Sequence, residues 1–177
     1  MRRFLAWRSI DDEWRAEGCT VERGDFGLRA VGVQLGTSYQ LEYGLETGPE
    51  LFTERFVVTI KDAEGERGIL LERADEDNTW TLNGDPLPLV DGALDVDLAL
   101  SPLTNHMPAA RLDGEPTEHL MAWVDVPSLE VTASRQRYEP MGARQVRFVG
   151  LDDGFIAELD LDADGFVIHY PGLAGRA

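Results

Sequence analysis

Cysteine and lysine are almost absent from this 177-residue chain. The one cysteine, Cys19, excludes an internal disulfide and fits a reducing compartment. It lies in "CTVER", an apparent strand, where a cysteine is more often a small buried hydrophobic residue than a nucleophile. Lys61 is the one lysine, so arginine carries nearly all of the positive side-chain charge.

Positive charge is also scarce in total. The chain has 16 Lys and Arg against 33 Asp and Glu, a formal net charge of −17. Such an acidic surface repels nucleic-acid phosphates and anionic lipid head groups, so we expect no nucleic-acid partner and no stable membrane insertion. Long apolar runs are missing too. The stretch "FLAW" at 4–7 is far shorter than the core of a secretion signal, and no run approaches a membrane span. The sequence predicts an acidic cytoplasmic protein.

Recognisable metal-binding and catalytic motifs are absent as well. The three histidines lack HxxxH or HExxH spacing, and the chain has no GxSxG elbow and no glycine-rich phosphate loop. "DLDADG" at 160–165 resembles the first half of a calcium loop, but its twelfth position is Pro171 and its flanks read as strands. A hairpin with Gly165 at positive φ explains the same letters. We therefore expect no metal and no cofactor.

Strand patterns dominate what is present. Apolar and polar residues alternate with period two in about a dozen segments, and turn signals recur every eight to twelve residues. Asn83-Gly84 is the strongest hairpin signal, since both residues tolerate positive φ. "SIDDEWRAEG" near the start fits either a short helix capped by Ser9 or a loop. No linker or repeat divides the chain, so we expect one all-β domain over residues 1–177. Its long antiparallel sheet must curl into a barrel or fold into a sandwich.

The stretch "DVDLALSPLTNHMPAARL" at 95–112 holds the most informative polar residues. Asp95 and Asp97 share one face of a strand, roughly 6.5 to 7 Å apart. If Val96 and Leu98 face the core, the two aspartates face solvent or pair with arginines of a neighbouring strand. They could instead contact a ligand. In a third interpretation they act as acid and base, since carboxyls about 6.5 to 9.5 Å apart serve inverting glycosidases.

Arginines concentrate in residues 131–149, where Arg135, Arg137, Arg144 and Arg147 stand against Glu139 alone. This basic island either neutralises Asp95 and Asp97 internally, which we favour, or receives an anionic head group.

Two prolines bracket Thr104, Asn105 and His106 and predict a rigid loop. These polar residues either satisfy loop backbone groups or form a polar rim at the mouth of an apolar cavity. Aromatic residues of the core, or of such a cavity, are Tyr39, Tyr43, Trp80, Trp123 and Tyr138.

The 95–112 block, with "WR" near the start, "QRY" at 136–138 and "YPGL" at 170–173, resembles the bacterial "putative glycolipid-binding" family, formerly a domain of unknown function. The chain departs from the family pattern at Ala109, Ala110 and Asn105-His106. The resemblance implies a strongly curved antiparallel sheet forming an open or pseudo-barrel, a cavity for a lipid-like ligand, and no cofactor. Its signature, and the implied ligand-binding set, comprises Asp95, Asp97, Asn105, Arg111, Gln136, Tyr138 and Tyr170.

These observations predict a non-enzymatic protein that holds a glycolipid-like amphiphile in the concave face of a curved sheet. The alternative is an enzyme that acts on a glycoside or lipid with Asp95 and Asp97 as acid and base. The sequence assigns no oligomeric state.

Overall fold

A single 15-stranded sheet forms most of the molecule, which a computed structural model describes over residues 1–177. The strands are β1 Arg2–Ser9, β2 Ala16–Gly24, β3 Gly27–Leu35, β4 Tyr39–Thr47, β5 Thr53–Asp62, β6 Gly65–Arg73, β7 Trp80–Leu82, β8 Asp85–Pro86, β9 Asp95–Leu98, β10 Thr117–Val124, β11 Val131–Gly142, β12 Gln145–Gly150, β13 Ile156–Leu161, β14 Val167–Tyr170 and β15 Ala174–Arg176. The one α-helix, α1, spans His106–Ala110, and a 3-10 turn spans Pro88–Val90. No helix reaches the length and apolarity that crossing a bilayer requires.

The sheet order is β8-β7-β6-β5-β4-β3-β2-β1-β15-β14-β13-β12-β11-β10-β9, so the first and last strands of the chain pair in the middle of the sheet. Every pair is antiparallel except β9 with β10. Strands β8 and β9 each pair with a neighbouring strand on one side only and form the two edges of the sheet. The architecture is therefore an open curved sheet, as the family resemblance implies, and not a closed barrel.

Turn chemistry places several of the strand ends. Asn83 and Gly84 both have positive φ, at 53° and 89°, and connect β7 to β8 as the hairpin prediction required. Gly165 has φ 84° in the turn between β13 and β14, which confirms the hairpin interpretation of "DLDADG". Residues 10–15 form a turn and not a helix. The 3-10 turn Pro88–Val90 follows the β7–β8 hairpin directly.

The edge strand β9 folds inward and lies inside the curve of the sheet. The backbone N–H of Val96 donates to Thr53 Oγ1 at 3.3 Å, and the N–H of Thr53 donates to the carbonyl of Leu94 at 2.9 Å. Beyond β9, the amide of Gln34 in β3 donates to the carbonyl of Ala99 at 3.2 Å. Strand β9 therefore stands between the two halves of the sheet.

Because strand residues alternate in direction, the two faces of β9 meet different interiors. Val96 and Leu98 belong to a cluster of 29 buried apolar residues, of which β1 to β7 supply 14. We call this cluster the apolar interior. Asp95 and Asp97 face the space in front of β11 to β14, where a smaller cluster includes Tyr138, Phe148 and Tyr170. We call this second space the polar interior.

Candidate functional site

Asp97 lies at the centre of a buried hydrogen-bond network in the polar interior. Its Oδ1 accepts from the Thr104 hydroxyl at 2.7 Å, and its Oδ2 accepts from Gln136 Nε2 at 2.6 Å. The Tyr138 hydroxyl donates to Asn105 Oδ1 at 2.9 Å and lies 3.3 Å from Gln136 Oε1. Three separate segments, namely β9, the 99–105 loop and β11, therefore converge on one carboxylate.

Strand register explains why β11 supplies these partners. Trp123 of β10 pairs with Asp97 on one side and with Thr132 of β11 on the other. Alternate residues of β11, from Thr132 through Ser134 and Gln136 to Tyr138, consequently face the same interior as Asp97. The even-numbered residues of β11 thus form one wall of the polar interior.

Asp95 lies two residues away and has a different environment. Its carboxylate forms a two-pronged ion pair with the Arg111 guanidinium, which also donates to the carbonyl of Leu51 at 2.8 Å. The guanidinium lies 4.8 Å from the ring centre of Phe52. Asp95 is fully buried, so the pair is shielded from water. Its charge is therefore neutralised within the protein.

A half-open cavity of about 570 Å³ adjoins the network. Its lining includes Asp97, Asn105 and Gln136, which are only 1–4% exposed and so form the inner end. Its walls include the rings of Trp123, Phe148, Phe155 and Tyr170 and the side chains of Leu100 and Leu173. This volume lies within the range of about 300–1,000 Å³ that is common for small-molecule sites.

The mouth of the cavity carries an exposed ion pair. Arg135 Nε lies 2.9 Å from Asp152 Oδ1, and the Arg135 backbone N–H donates to the other carboxylate oxygen at 2.7 Å. Both side chains and Phe155 are exposed and line the opening. The polar network therefore lies at the closed end of the cavity, and the prediction of a polar rim at its mouth is wrong.

Burial dominates the electrostatics of the inner end. It raises the pKa of Asp97 to about 6, although the hydrogen bonds from Gln136 and Thr104 oppose the shift. Burial also raises the pKa of Asp95 above its ordinary value, while the Arg111 charge acts in the opposite direction. The pKa values of Tyr138 and Tyr170 are raised by burial too, so both phenols stay protonated.

A third buried carboxylate, Glu17, bounds the site from the other side. Its Oε1 accepts from the Tyr43 hydroxyl at 2.6 Å and from the Ser101 hydroxyl at 2.7 Å, while Oε2 has no partner. Burial raises the pKa of Glu17 to about 7. The Ser101 carbonyl lies 3.4 Å from both Thr104 Oγ1 and Asn105 Nδ2. One loop thus connects Glu17 to the Asp97 network.

Four of the seven signature residues line the cavity: Asp97, Asn105, Gln136 and Tyr170. The other three stand behind this lining, where Asp95 pairs with Arg111 and Tyr138 supports the amides. The expectation that the aspartates face solvent is wrong, because both faces of β9 are buried. Only Asp97 lines the cavity, so the two carboxyls do not flank a common substrate space as the acid–base hypothesis requires.

The expected pairing of the basic island with Asp95 and Asp97 is wrong. The arginines of residues 131–149 do not pair with Asp95 or Asp97, because Arg135 pairs with Asp152, and Arg147 pairs with Glu158 at 3.0 Å. The rigid loop of the sequence prediction contains helix α1, where His106 is buried and its Nδ1 lies 2.9 Å from the carbonyl of Gly165.

Among the five aromatic residues expected around a cavity, Trp123 alone lines it. Trp80 is buried in the apolar interior and donates its indole N–H to the carbonyl of Ala93, at 2.9 Å. Tyr43 belongs to the same cluster. Sequence reasoning missed the lining residues Ser134, Phe148 and Phe155. The alternation of β11, with Gln136 and Tyr138 both on the signature face, could have identified Ser134.

Comparison with known proteins gives two matches. The model of the family described as "Putative glycolipid-binding" matches residues 4–176. The crystal structure of a DUF1089 family protein from Pseudomonas aeruginosa is similar to this chain at 29% sequence identity and a TM-score of 0.75. The similarity covers 97% of this chain and 92% of that one. Among curated proteins, none matches this chain.

Proposed function

Because the chain belongs to the family described as "Putative glycolipid-binding", we propose that it holds an amphiphile in the cavity beside Asp97 without transforming it. The observation that carries the proposal is the division of the cavity into two chemistries. Buried carboxylate and amide groups lie at the inner end, and aromatic rings line the walls up to the mouth.

This division assigns an orientation to the ligand. The hydroxylated head group lies at the inner end, where Asp97, Asn105 and Gln136 offer hydrogen bonds in a space that is largely shielded from water. The apolar part lies against Trp123 and Phe148 and leaves through the mouth beside Phe155. Aromatic side chains suit this role because they bury a large apolar area at low cost in conformational freedom.

The signature residues then divide by role. Asp97, Asn105 and Gln136 contact the head group, and Tyr170 packs beside it. Tyr138 positions the two amides through its hydroxyl, and the Asp95–Arg111 pair fixes the start of β9 against Leu51. A binding role requires only one carboxylate in the cavity. Asp95 lies outside the cavity lining, which agrees with such a role.

A pair of cavity-blocking and control variants tests this proposal. Ser134→Phe places a ring inside the cavity, whereas Thr20→Phe places the same ring on the outer face of β2, between the exposed side chains of Phe4 and Val31. We expect native mass spectrometry to detect one octyl glucoside bound per chain in the natural protein and in Thr20→Phe. Ser134→Phe should bind it at least tenfold more weakly, with an unchanged circular dichroism spectrum.

Two outcomes would contradict the proposal. One is the absence of octyl glucoside binding to the natural protein at millimolar concentration below micelle formation. The other is binding to Ser134→Phe with undiminished affinity, since the ligand would then occupy a different part of the molecule.

A further inference from the structure

Asp97 is a buried carboxylate that has no counterion within the protein. It is 4% exposed, and its two side-chain partners, Thr104 and Gln136, are both neutral. Asp95, on the same face of the same strand, has Arg111 as its cation. A buried unpaired charge costs several kcal/mol or more unless an opposite charge arrives or the group takes up a proton. Asp97 lines the cavity, so a ligand bound there could bring such a charge to the carboxylate.

Hydrogen-bond donors are in short supply at the inner end. Gln136 Nε2 donates to Asp97 Oδ2 at 2.6 Å, and the same nitrogen lies 3.3 Å from the Ser134 hydroxyl oxygen. The Asn105 amide donates toward the Ser101 carbonyl. Acceptors remain, since an ionised carboxylate offers about four lone-pair sites and Asp97 has two partners. The inner end therefore favours a ligand group that donates hydrogen bonds.

Cations are also missing from the inner end of the cavity. Arg135 is the one arginine of the cavity lining, and this residue stands at the mouth, paired with Asp152. The lining otherwise carries Asp97 and Asp153 as charged groups, so an anionic head group would meet net repulsion. Aromatic rings attract organic cations across their faces, and Trp123 and Tyr170 line the same space.

We propose that the head group of the bound amphiphile carries a protonated amine, which pairs with the Asp97 carboxylate at the inner end of the cavity. This inference rests on the proposed binding function and specifies the ligand class. An amino-sugar lipid and a long-chain amino alcohol share this chemistry, whereas phosphate, sulfate and carboxylate head groups are excluded. The ligand would supply the counterion that Arg111 supplies to Asp95.

Other ionisable groups surround Asp97, and the charge of Asp95 also raises its pKa. Those from the elements packed against it are Glu17, Asp95, Arg111, His119, Arg135, Tyr138, Asp152, Asp153 and Tyr170. The pKa of His119 is lowered by burial to about 4, so that ring is neutral above pH 5. The two tyrosines are also neutral there. Between pH 5 and 7.5 two buried carboxyls are expected to change charge: Asp97, whose pKa is about 6, and Glu17, whose pKa is about 7 and which contacts the 99–105 loop through Ser101. Of the two, Asp97 alone lines the cavity.

Three octyl amphiphiles that differ only in head group test the inference by isothermal titration calorimetry: octylamine, octyl glucoside and octyl phosphate. At pH 7.5 we expect octylamine to bind and octyl phosphate to bind at least tenfold more weakly. Between pH 7.5 and 5 the octylamine affinity should fall several-fold as Asp97 takes up a proton, while the amine stays charged. The octyl glucoside affinity should change much less over the same range, because its head group carries no charge. This pH comparison uses the natural protein, and a pair of variants assigns its cause.

A matched pair of variants assigns the effect to one carboxyl. Asp97→Asn should weaken octylamine at least tenfold and remove the pH dependence of its affinity. Asp160→Asn removes the same charge at an exposed site outside the cavity and should change neither the affinity nor its pH dependence. If octyl glucoside binds but octylamine and octyl phosphate bind equally, the inference is overturned and the proposed function stands. If none of the three binds, the proposed function itself is wrong.

Discussion

Two aspartates of the polar interior carry the same chemical group in opposite situations. Asp95 is paired with Arg111 and lies behind the cavity lining. Asp97 has neutral partners and lines the inner end of the cavity. Both carboxylates are buried, and both come from one four-residue strand. The difference shows that β9 uses one aspartate to fix its own position, while the other has no charged partner within the protein.

The positions of the two partners explain the division. Arg111 follows helix α1 at the end of the 99–112 segment, and its guanidinium is held from the side by the Leu51 carbonyl and the Phe52 ring. No equivalent cation reaches Asp97, because Arg135 of β11 stands at the mouth of the cavity and pairs with Asp152. The position of Arg111 after α1 and the position of Arg135 on β11 together decide which aspartate is neutralised.

The largest effect is expected from removing Arg111, the cation that pairs with Asp95. Arg111→Met keeps most of the aliphatic stem but leaves Asp95 buried without a counterion, which costs about 3–5 kcal/mol in similar pairs. Urea unfolding at pH 7.5 should show this loss in the free energy of unfolding. The deficit should shrink as the pH falls, because Asp95 then folds in its protonated form.

Replacing both members of the pair provides the control. Asp95→Leu combined with Arg111→Met removes the unpaired buried charge, so most of the lost stability should return. A double variant no more stable than Arg111→Met alone would show that the stacking of Arg111 on Phe52 stabilises the protein here, and not the charge of Arg111.

A second and smaller effect is expected at Glu17, the third buried carboxylate. Its pKa rises from an ordinary 4.5 to about 7 in the folded protein, so the folded state binds the proton more tightly than the unfolded state. Its contribution to stability is therefore fully present below pH 4.5 and is lost as the pH rises through 7. This shift corresponds to about 3 kcal/mol. Glu17→Gln should match the natural protein near pH 4.5 and exceed it by about that amount at pH 8.

Urea unfolding at both pH values checks this expectation. Glu158 on β13 is half exposed, so Glu158→Gln removes the same charge from a position that is not buried. The free energy of unfolding of this variant should depend on pH as it does in the natural protein. If Glu17→Gln and the natural protein follow parallel curves from pH 5 to 8, Glu17 is ionised without cost and the loop contact through Ser101 stabilises its charge.

The sequence predicted the sheet better than the site, for physical reasons. Period-two alternation and turn residues such as Asn83 and Gly84 are local, so the strands could be placed from letters alone. Burial of both faces of β9 depends on how the sheet curls, which no local pattern encodes. For this reason the solvent-facing interpretation of Asp95 and Asp97 was wrong. Glu17 shares a strand face with buried Cys19 and Val21, and that alternation could have predicted its burial.

The smallest effect is expected at the mouth, where an arginine–aspartate pair of the same kind stands in solvent. Arg135→Ala removes the side chain but keeps the backbone N–H that also binds Asp152. The pKa of Asp152 is held below its usual value, first by that backbone hydrogen bond and second by the Arg135 side chain. The variant should therefore raise the Asp152 pKa only part of the way to normal in an NMR titration. The urea midpoint should stay unchanged, because exposed pairs contribute little to stability. A midpoint loss as large as that of Arg111→Met would mean that burial does not separate the two pairs.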